Sequence, residues 1–194
     1  ETPVRDYQQY LRETPEVPVP KKNMNQPPSF PATGMTLLEA AGFCDWLTAR
    51  ARASGKIHPW LKYRLPTDLE WSAIAGLPFE QGVTPEARGL LAAEQVKAAE
   101  GNFSLRLRNN RRAGVTTIGS AAADARGVFD LDGNVWEWVL DYYNSDPKQL
   151  GTVRGGNFDA SERNQLSRQY RTPVSTGKGH AWIGFRYVLE DGAR

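Results

Sequence analysis

Three carboxylates, two glycines and two tryptophans fall within the twelve residues Gly127-Val-Phe-Asp-Leu-Asp-Gly-Asn-Val-Trp-Glu-Trp138. Asp130 and Glu137 lie seven positions apart, with a turn signal at Asp132-Gly133 between them. A chain that bends there aims both carboxylates and the intervening carbonyls at one point. Such a mixed set of side-chain and backbone oxygens holds a hard cation such as calcium. The same residues also satisfy a simpler description, a tight turn followed by two core tryptophans.

Other chemistry is poorly supplied. His58 and His180 are far apart in the chain, and neither stands beside a serine or cysteine motif. An iron site of two histidines and one carboxylate would need both of them. No glycine-rich phosphate loop follows a strand, and there is no Gly-x-Ser-x-Gly elbow. The single cysteine, Cys44, excludes an internal disulfide and every paired-cysteine motif. It falls on the apolar face of a helix and reads as a small buried hydrophobe. The basic run Arg106-Leu-Arg-Asn-Asn-Arg-Arg112 has no interleaved aromatics, and the formal charge is only +2. That run reads as a solvated loop, and no nucleic-acid partner is expected. No apolar run is long enough to span a membrane, and no signal-peptide pattern is present. With 194 residues the chain is expected to form one domain over 1–194, and its start at Glu1 rather than Met suggests a longer parent.

The elements that must position these residues divide into helices first and strands later. Thr2-Pro3 followed by Val4, Tyr7 and Leu11 predicts a short helix with threonine as its cap. A proline-rich, aperiodic stretch over 15–34 follows. Thr36-Leu-Leu-Glu39 is a capping box, opening a helix with Ala40, Phe43, Cys44 and Leu47 on one face that ends near Gly55. A second box, Thr67-Asp-Leu-Glu70, opens a helix carrying Trp71 and Ile74, and Thr84-Pro85 starts another that runs to about Glu100. Short strand patterns then appear at Val115–Ile118, Val135–Leu140, Thr152–Arg154 and Gly184–Leu189. This order predicts an α+β fold rather than alternating βαβ units.

Three blocks in order carry a resemblance: Arg64-Leu-Pro-Thr-Asp-Leu-Glu-Trp71, the Gly133-Asn-Val-Trp-Glu-Trp138 run, and Arg154-Gly-Gly-Asn-Phe158 closed by Ile183-Gly-Phe-Arg186. With Glu1-Thr-Pro-Val-Arg-Asp-Tyr7 and Ala41-Gly-Phe-Cys-Asp-Trp-Leu47 they make nearly the whole chain resemble the formylglycine-generating-enzyme family, which has a C-type-lectin-like fold. The resemblance implies a structural calcium held by the side chains of Asp130 and Glu137 and the carbonyls of Gly133 and Val135. At Asp130 an acid replaces the family's amide. Of a second family calcium site only Asn102-Phe103 matches. The oxidases of the family bind copper with two cysteines a few residues beyond Arg-Gly-Gly, and Asp159 to Ser167 contains none here. No copper and no catalytic residue are therefore expected. The iron-dependent members take histidines from an added helical domain that this chain lacks.

The resemblance extends to the variable proteins of diversity-generating retroelements and to lectin-like domains appended to bacterial kinases. Their frame matches Arg154-Gly-Gly, Leu166, Arg171 and Gly184-Phe-Arg186. The positions left free to contact a ligand are then Asp159, Ala160, Ser161, Tyr170, Thr172, Pro173, Val174, Ser175, Lys178, His180, Ala181 and Trp182. Tyr170 and Trp182 are the expected anchors, because aromatic side chains add contact area at low entropic cost. The expectation is a non-catalytic binding or sensor domain for a protein or small-molecule ligand, joined to a kinase or another N-terminal domain. The alternatives are a metal-dependent oxidoreductase of the formylglycine-generating type without its usual cysteines, and an inert structural module.

Overall fold

The computed structural model describes residues 1–20, 25–92, 114–145, 150–160, 165 and 167–191. Helix α1 (Val4–Glu13) buries Val4, Tyr7 and Tyr10 against α2 (Leu37–Ala53), which buries Ala40, Phe43 and Cys44. Tyr7, Tyr10, Phe43 and Phe185 pack as stacked and edge-on rings with centroids 5.3 to 6.1 Å apart. Thr36 and Glu39 form the predicted capping box at the start of α2, and Thr67 and Glu70 repeat it at α3 (Asp68–Ile74). A fourth helix, α4, spans Pro85–Ala92; its expected continuation to Glu100 lies outside the described residues.

Six strands complete the described fold. A two-stranded antiparallel ribbon joins β1 (Leu61–Arg64) to β6 (Val188–Asp191). A four-stranded sheet has the order β4-β3-β2-β5, from β2 (Trp136–Tyr142), β3 (Leu150–Arg154), β4 (Thr172–Ser175) and β5 (Ile183–Phe185). Its antiparallel pairs are β2–β3 and β3–β4, and β5 runs parallel to β2, pairing Trp136 with Ile183 and Glu137 with Gly184. This mixed arrangement bears out the α+β expectation. Trp136 and Trp138 both belong to the core, as the motif's simpler description required.

Four local expectations change. Thr2 does not cap α1; Pro3 holds that position, while the backbone of Thr2 bridges Phe185 and Ala32. Val115–Ile118 is not a strand. Its amides turn to other segments instead, Thr116 N–H donating to Asn134 Oδ1 of the motif at 2.9 Å and Ile118 N–H to the Ser29 carbonyl. Gly184–Leu189 is two strands, broken at Arg186-Tyr187 where the chain leaves one sheet for the other. Thr172–Ser175, expected only as ligand-contacting positions, pairs with β3 as an edge strand in which Pro173 faces Thr152. Proline is tolerated there because an edge strand leaves one row of amides unpaired in any case.

Candidate functional site

The motif that opens β2 is a backbone crossing as much as a set of side chains. Asp130 and Asn134 adopt positive φ (55° and 59°), as do Gly133, Gly155 and Gly156. Gly133 N–H donates to the Gly155 carbonyl at 2.7 Å, and Phe158 N–H to the Asn134 carbonyl at 2.9 Å. The two glycine-bearing loops are thereby joined. At Gly155 a side chain would be strained by the left-handed backbone and would meet Trp71 at 3.3 Å.

Glu137 is fully buried in β2. Its Oε2 accepts from Trp71 Nε1 at 2.7 Å and from Arg186 Nε at 2.6 Å, and its Oε1 accepts from Arg186 Nη2 at 2.6 Å. Burial pushes its carboxyl up, but the Arg186 guanidinium more than offsets this and holds it below the ordinary glutamate value. Arg186 also donates to the Phe129 and Asp130 carbonyls, at 3.1 and 3.3 Å. Asp130 is buried and accepts from Gly119 N–H at 2.6 Å.

Glu1 joins this cluster. Its Oε2 accepts from Asn134 Nδ2 at 2.8 Å, and its buried Oε1 has no partner. Burial pushes its carboxyl up to about 8, with the charges of Glu137 and Asp130 adding to the shift.

The cluster sets the carboxylates of Asp130 and Glu137 beside one guanidinium, with the buried Glu1 carboxyl held toward its neutral acid. It does not fit calcium in arrangement. Both oxygens of Glu137 are directed at Arg186, so that carboxylate is committed to the guanidinium in this arrangement. The expected four-position cradle of Asp130, Gly133, Val135 and Glu137 is here a carboxylate braced by arginine. Asn102-Phe103, and with it the second calcium site, lies outside the described residues, as does the basic run 106–112.

A second buried cluster holds the arginines of the expected frame. Asp68, at the first position of α3, receives Arg154 and Arg171 on Oδ1, and Arg88 at 2.7 Å and Arg171 at 3.1 Å on Oδ2. Glu80 accepts from Arg171 Nη1 at 3.0 Å and from the Ser72 hydroxyl at 2.6 Å. Burial would raise the Asp68 carboxyl, yet Arg154 and Arg171 hold it below its ordinary value. Burial lowers Arg154 to about 10, which Asp68 partly opposes. Arg154 also lies 4.4 Å over the Trp71 ring, and Trp71 in turn donates to Glu137. Thus one tryptophan links both clusters. Asp68, Glu80 and Arg88 were not picked out in the sequence; the Leu65-Pro-Thr-Asp68 block held the only signal, because its capping box masks a buried acid.

Of the twelve expected ligand positions, four share one groove. Lys178, His180, Ala181 and Trp182 line a groove of about 500 Å³ whose other wall is Pro18, Val19 and Pro20. Trp182 is 44% exposed, and its ring lies 5.8 Å from that of His180. Asp159 is exposed, whereas Ala160 is buried. Tyr170 is half-buried against Trp136, with centroids 6.0 Å apart, so it leans on the core. Thr172, Pro173, Val174 and Ser175 lie in edge strand β4, with Pro173 the exposed one. Ser161 and the frame residue Leu166 lie outside the described residues. Cys44 is buried in the aromatic core, and burial pushes its thiol up to about 12.

These blocks match a known family model, the sulfatase-modifying factor enzyme 1-like domain, over residues 4–191. The chain belongs to that family. Among curated relatives it is 30% identical over 116 residues to the serine/threonine-protein kinase pkn1 of Chlamydia pneumoniae, a match covering 60% of this chain and 14% of the kinase. It is 24% identical over 198 residues to the formylglycine-generating enzyme of Thermomonospora curvata, covering 88% of this chain and 59% of that one. The chain thus spans less than two thirds of each of these relatives. Two solved structures share the fold: CarF (TM-score 0.66, 16% identity, 98% of this chain and 84% of the other) and variable protein 1 of Treponema denticola (TM-score 0.63, 16% identity, 98% and 82%). The C-type-lectin-like fold of this family is therefore the fold of the chain. No helix among the described residues is long and apolar enough to cross a membrane.

Proposed function

We propose that this family domain is a non-catalytic binding module that presents the 157–182 region to a ligand. The observation that carries the reading is the chemistry of its lone cysteine. Copper-thiolate oxidation needs two reachable thiolates, and Cys44 is single, packed among Tyr7, Phe43 and Phe185, and raised to about 12. The fold likeness to a variable protein supports a display role for the same region. Rigid buried supports beneath an exposed aromatic residue suit binding, since preorganised side chains lose little entropy when a ligand arrives. The partial match to a kinase supports attachment to a second, signalling domain, for which this module would act as a sensor.

Copper reconstitution followed by an oxygen-uptake assay on a thiol peptide tests the reading. The expected result is no uptake above that of free copper. Steady turnover would overturn it in favour of an oxidoreductase that works without the usual cysteines.

A further inference from the structure

The buried arginine cluster is closed on its solvent side by one carboxylate. Glu80 accepts from Arg171 Nη1 at 3.0 Å, from Arg171 Nη2, and from the Ser72 hydroxyl at 2.6 Å, the two-oxygen fork that a guanidinium offers a carboxylate. The Arg171 side chain has no exposure and that of Glu80 keeps 8%, so Glu80 is the outer member of the pair. Burial works against its ionised form, yet Arg171 and Ser72 hold the carboxyl below the ordinary glutamate value. Charge is matched only while Glu80 stays there. Asp68, Glu80 and Asp141 pair with Arg88, Arg154 and Arg171, three acids with three bases, and removing Glu80 leaves one positive charge over.

The segment that carries Glu80 is held by little else. On one side of it Leu77 N–H donates to the Ser72 carbonyl at 2.9 Å. On the other, Arg88 Nη1 donates to the carbonyls of Gly82 and Val83 at 2.9 and 3.4 Å. Between these ties, residues 78–81 make no backbone hydrogen bond among the described residues, and Glu80 is their one anchored side chain. Phe79 is 84% exposed, so its ring adds little packing. A stretch with so few bonds opens locally at lower cost than the domain around it.

We propose that residues 78–81 are a strap whose Glu80 occupies a carboxylate-binding site, and that an acidic side chain of a partner protein binds Arg171 and Ser72 by displacing it. This rests on the binding role proposed above and names the ligand chemistry of the same region, since Arg171 leads directly into β4. The guanidinium fork and the one positive charge left by an open strap suit a monoanionic carboxylate. Asp68, on the inner side of Arg171 at 3.1 Å, repels a dianion such as phosphate. A short tether keeps Glu80 at high local concentration. A carboxylate therefore displaces it best when the rest of its segment adds contacts of its own.

The test is an NMR titration of the whole domain with a blocked Gly-Gly-Glu-Gly-Gly peptide, reading the Arg171 Nε–H and the Phe79 amide, with the glutamine peptide as comparison. The wild type should bind the glutamate peptide weakly, with faster hydrogen exchange at Phe79 as the strap lifts. Glu80→Gln keeps the shape of the strap but loses the charge that competes, so it should bind that peptide about tenfold more tightly. Adding Arg171→Lys, which keeps a charge for Asp68 but not the fork, should abolish the gain. If that double variant does not fold, the comparison of the wild type with Glu80→Gln decides alone. Equal affinity in those two proteins, equal binding of the glutamine peptide, or no saturable shift in either protein would each overturn the proposal. The oxygen-uptake assay keeps the two readings apart: a failed titration without uptake removes only the strap and its carboxylate ligand, whereas uptake removes the binding role itself.

Discussion

Glu137 shows what a buried charge requires. Its carboxylate receives two bonds from Arg186 and one from Trp71, and that full set of donors allows it to stay ionised with no exposure. Removing one partner leaves the other charge buried and unpaired. Arg186→Ala should therefore cost about 3–5 kcal/mol, read as a lowered urea midpoint, and Glu137→Gln should cost less because it keeps the shape and an acceptor. Calcium decides between two descriptions of the same residues. With Arg186 on both oxygens, the melting temperature should be the same in calcium and in chelator. A drop of several degrees in chelator would mean that Asp130, Gly133, Val135 and Glu137 hold the ion with Arg186 turned aside, because a ligand of the folded state alone raises stability. The pair Asp130 and Glu137 was legible in the sequence by type and spacing. Its partner was not, since Arg186 comes 49 residues after Glu137 and meets it only because β5 runs parallel beside β2.

At the scale of elements, local signals and long-range pairing part company. The capping boxes at Thr36 and Thr67 formed as written, because both of their bonds close within four residues. Thr36→Ala should cost about 1 kcal/mol by chemical denaturation, and it should also loosen Glu39 at the rim of the groove. The strand patterns fared less well. Val115–Ile118 is β-rich in composition yet gives its amides to Asn134 and Ser29, while Thr172–Ser175 has a weak pattern and pairs nonetheless. Strand formation depends on which neighbour is available, and a window of sequence does not contain the neighbour. Gly179 is the sharper case at this scale. A Cβ there would collide with the Gly34 carbonyl, so Gly179→Ala must move the loop off Gly34, and we expect a lowered melting temperature together with a displaced Trp182 indole resonance. An unchanged indole signal would show that the loop adapts.

Across the whole molecule, the two buried clusters tie the termini of the described chain to its middle. Glu1 reaches Asn134, Asp68 reaches Arg154 and Arg171, and Trp71 lies between Arg154 and Glu137. Asp68 and Glu137 are held below their ordinary values by their arginines once burial is outweighed, and the hydrogen bond from Arg64 lowers Glu70 to about 2. A carboxyl depressed in the folded state contributes stability that is complete above its unfolded value, here about 4.5 for Glu70, and that is lost as pH falls toward the folded value. These depressed carboxyls should thus make unfolding midpoints fall steeply between about pH 4 and pH 2, whereas the raised Glu1 carboxyl works in the opposite sense, its contribution being lost as pH rises from about 4.5 to about 8. Asp68→Asn should flatten that acid limb while lowering stability at neutral pH, and an unaltered limb would place the acid sensitivity elsewhere.

The chain by itself determined its family, the capping boxes that open two of its helices, the turn chemistry of the 127–138 motif, and the absence of a second cysteine for copper chemistry. Each of these depends on residue type or on neighbours a few positions away. Tertiary structure alone decided that Glu137 answers to Arg186, that the frame arginines converge on Asp68, and that Tyr170 leans on the core while Trp182 stands in a groove beside Pro18 to Pro20. The physical reason is that charge partners and exposure are set by contacts between segments far apart in the chain, and no local pattern carries the identity of a distant neighbour.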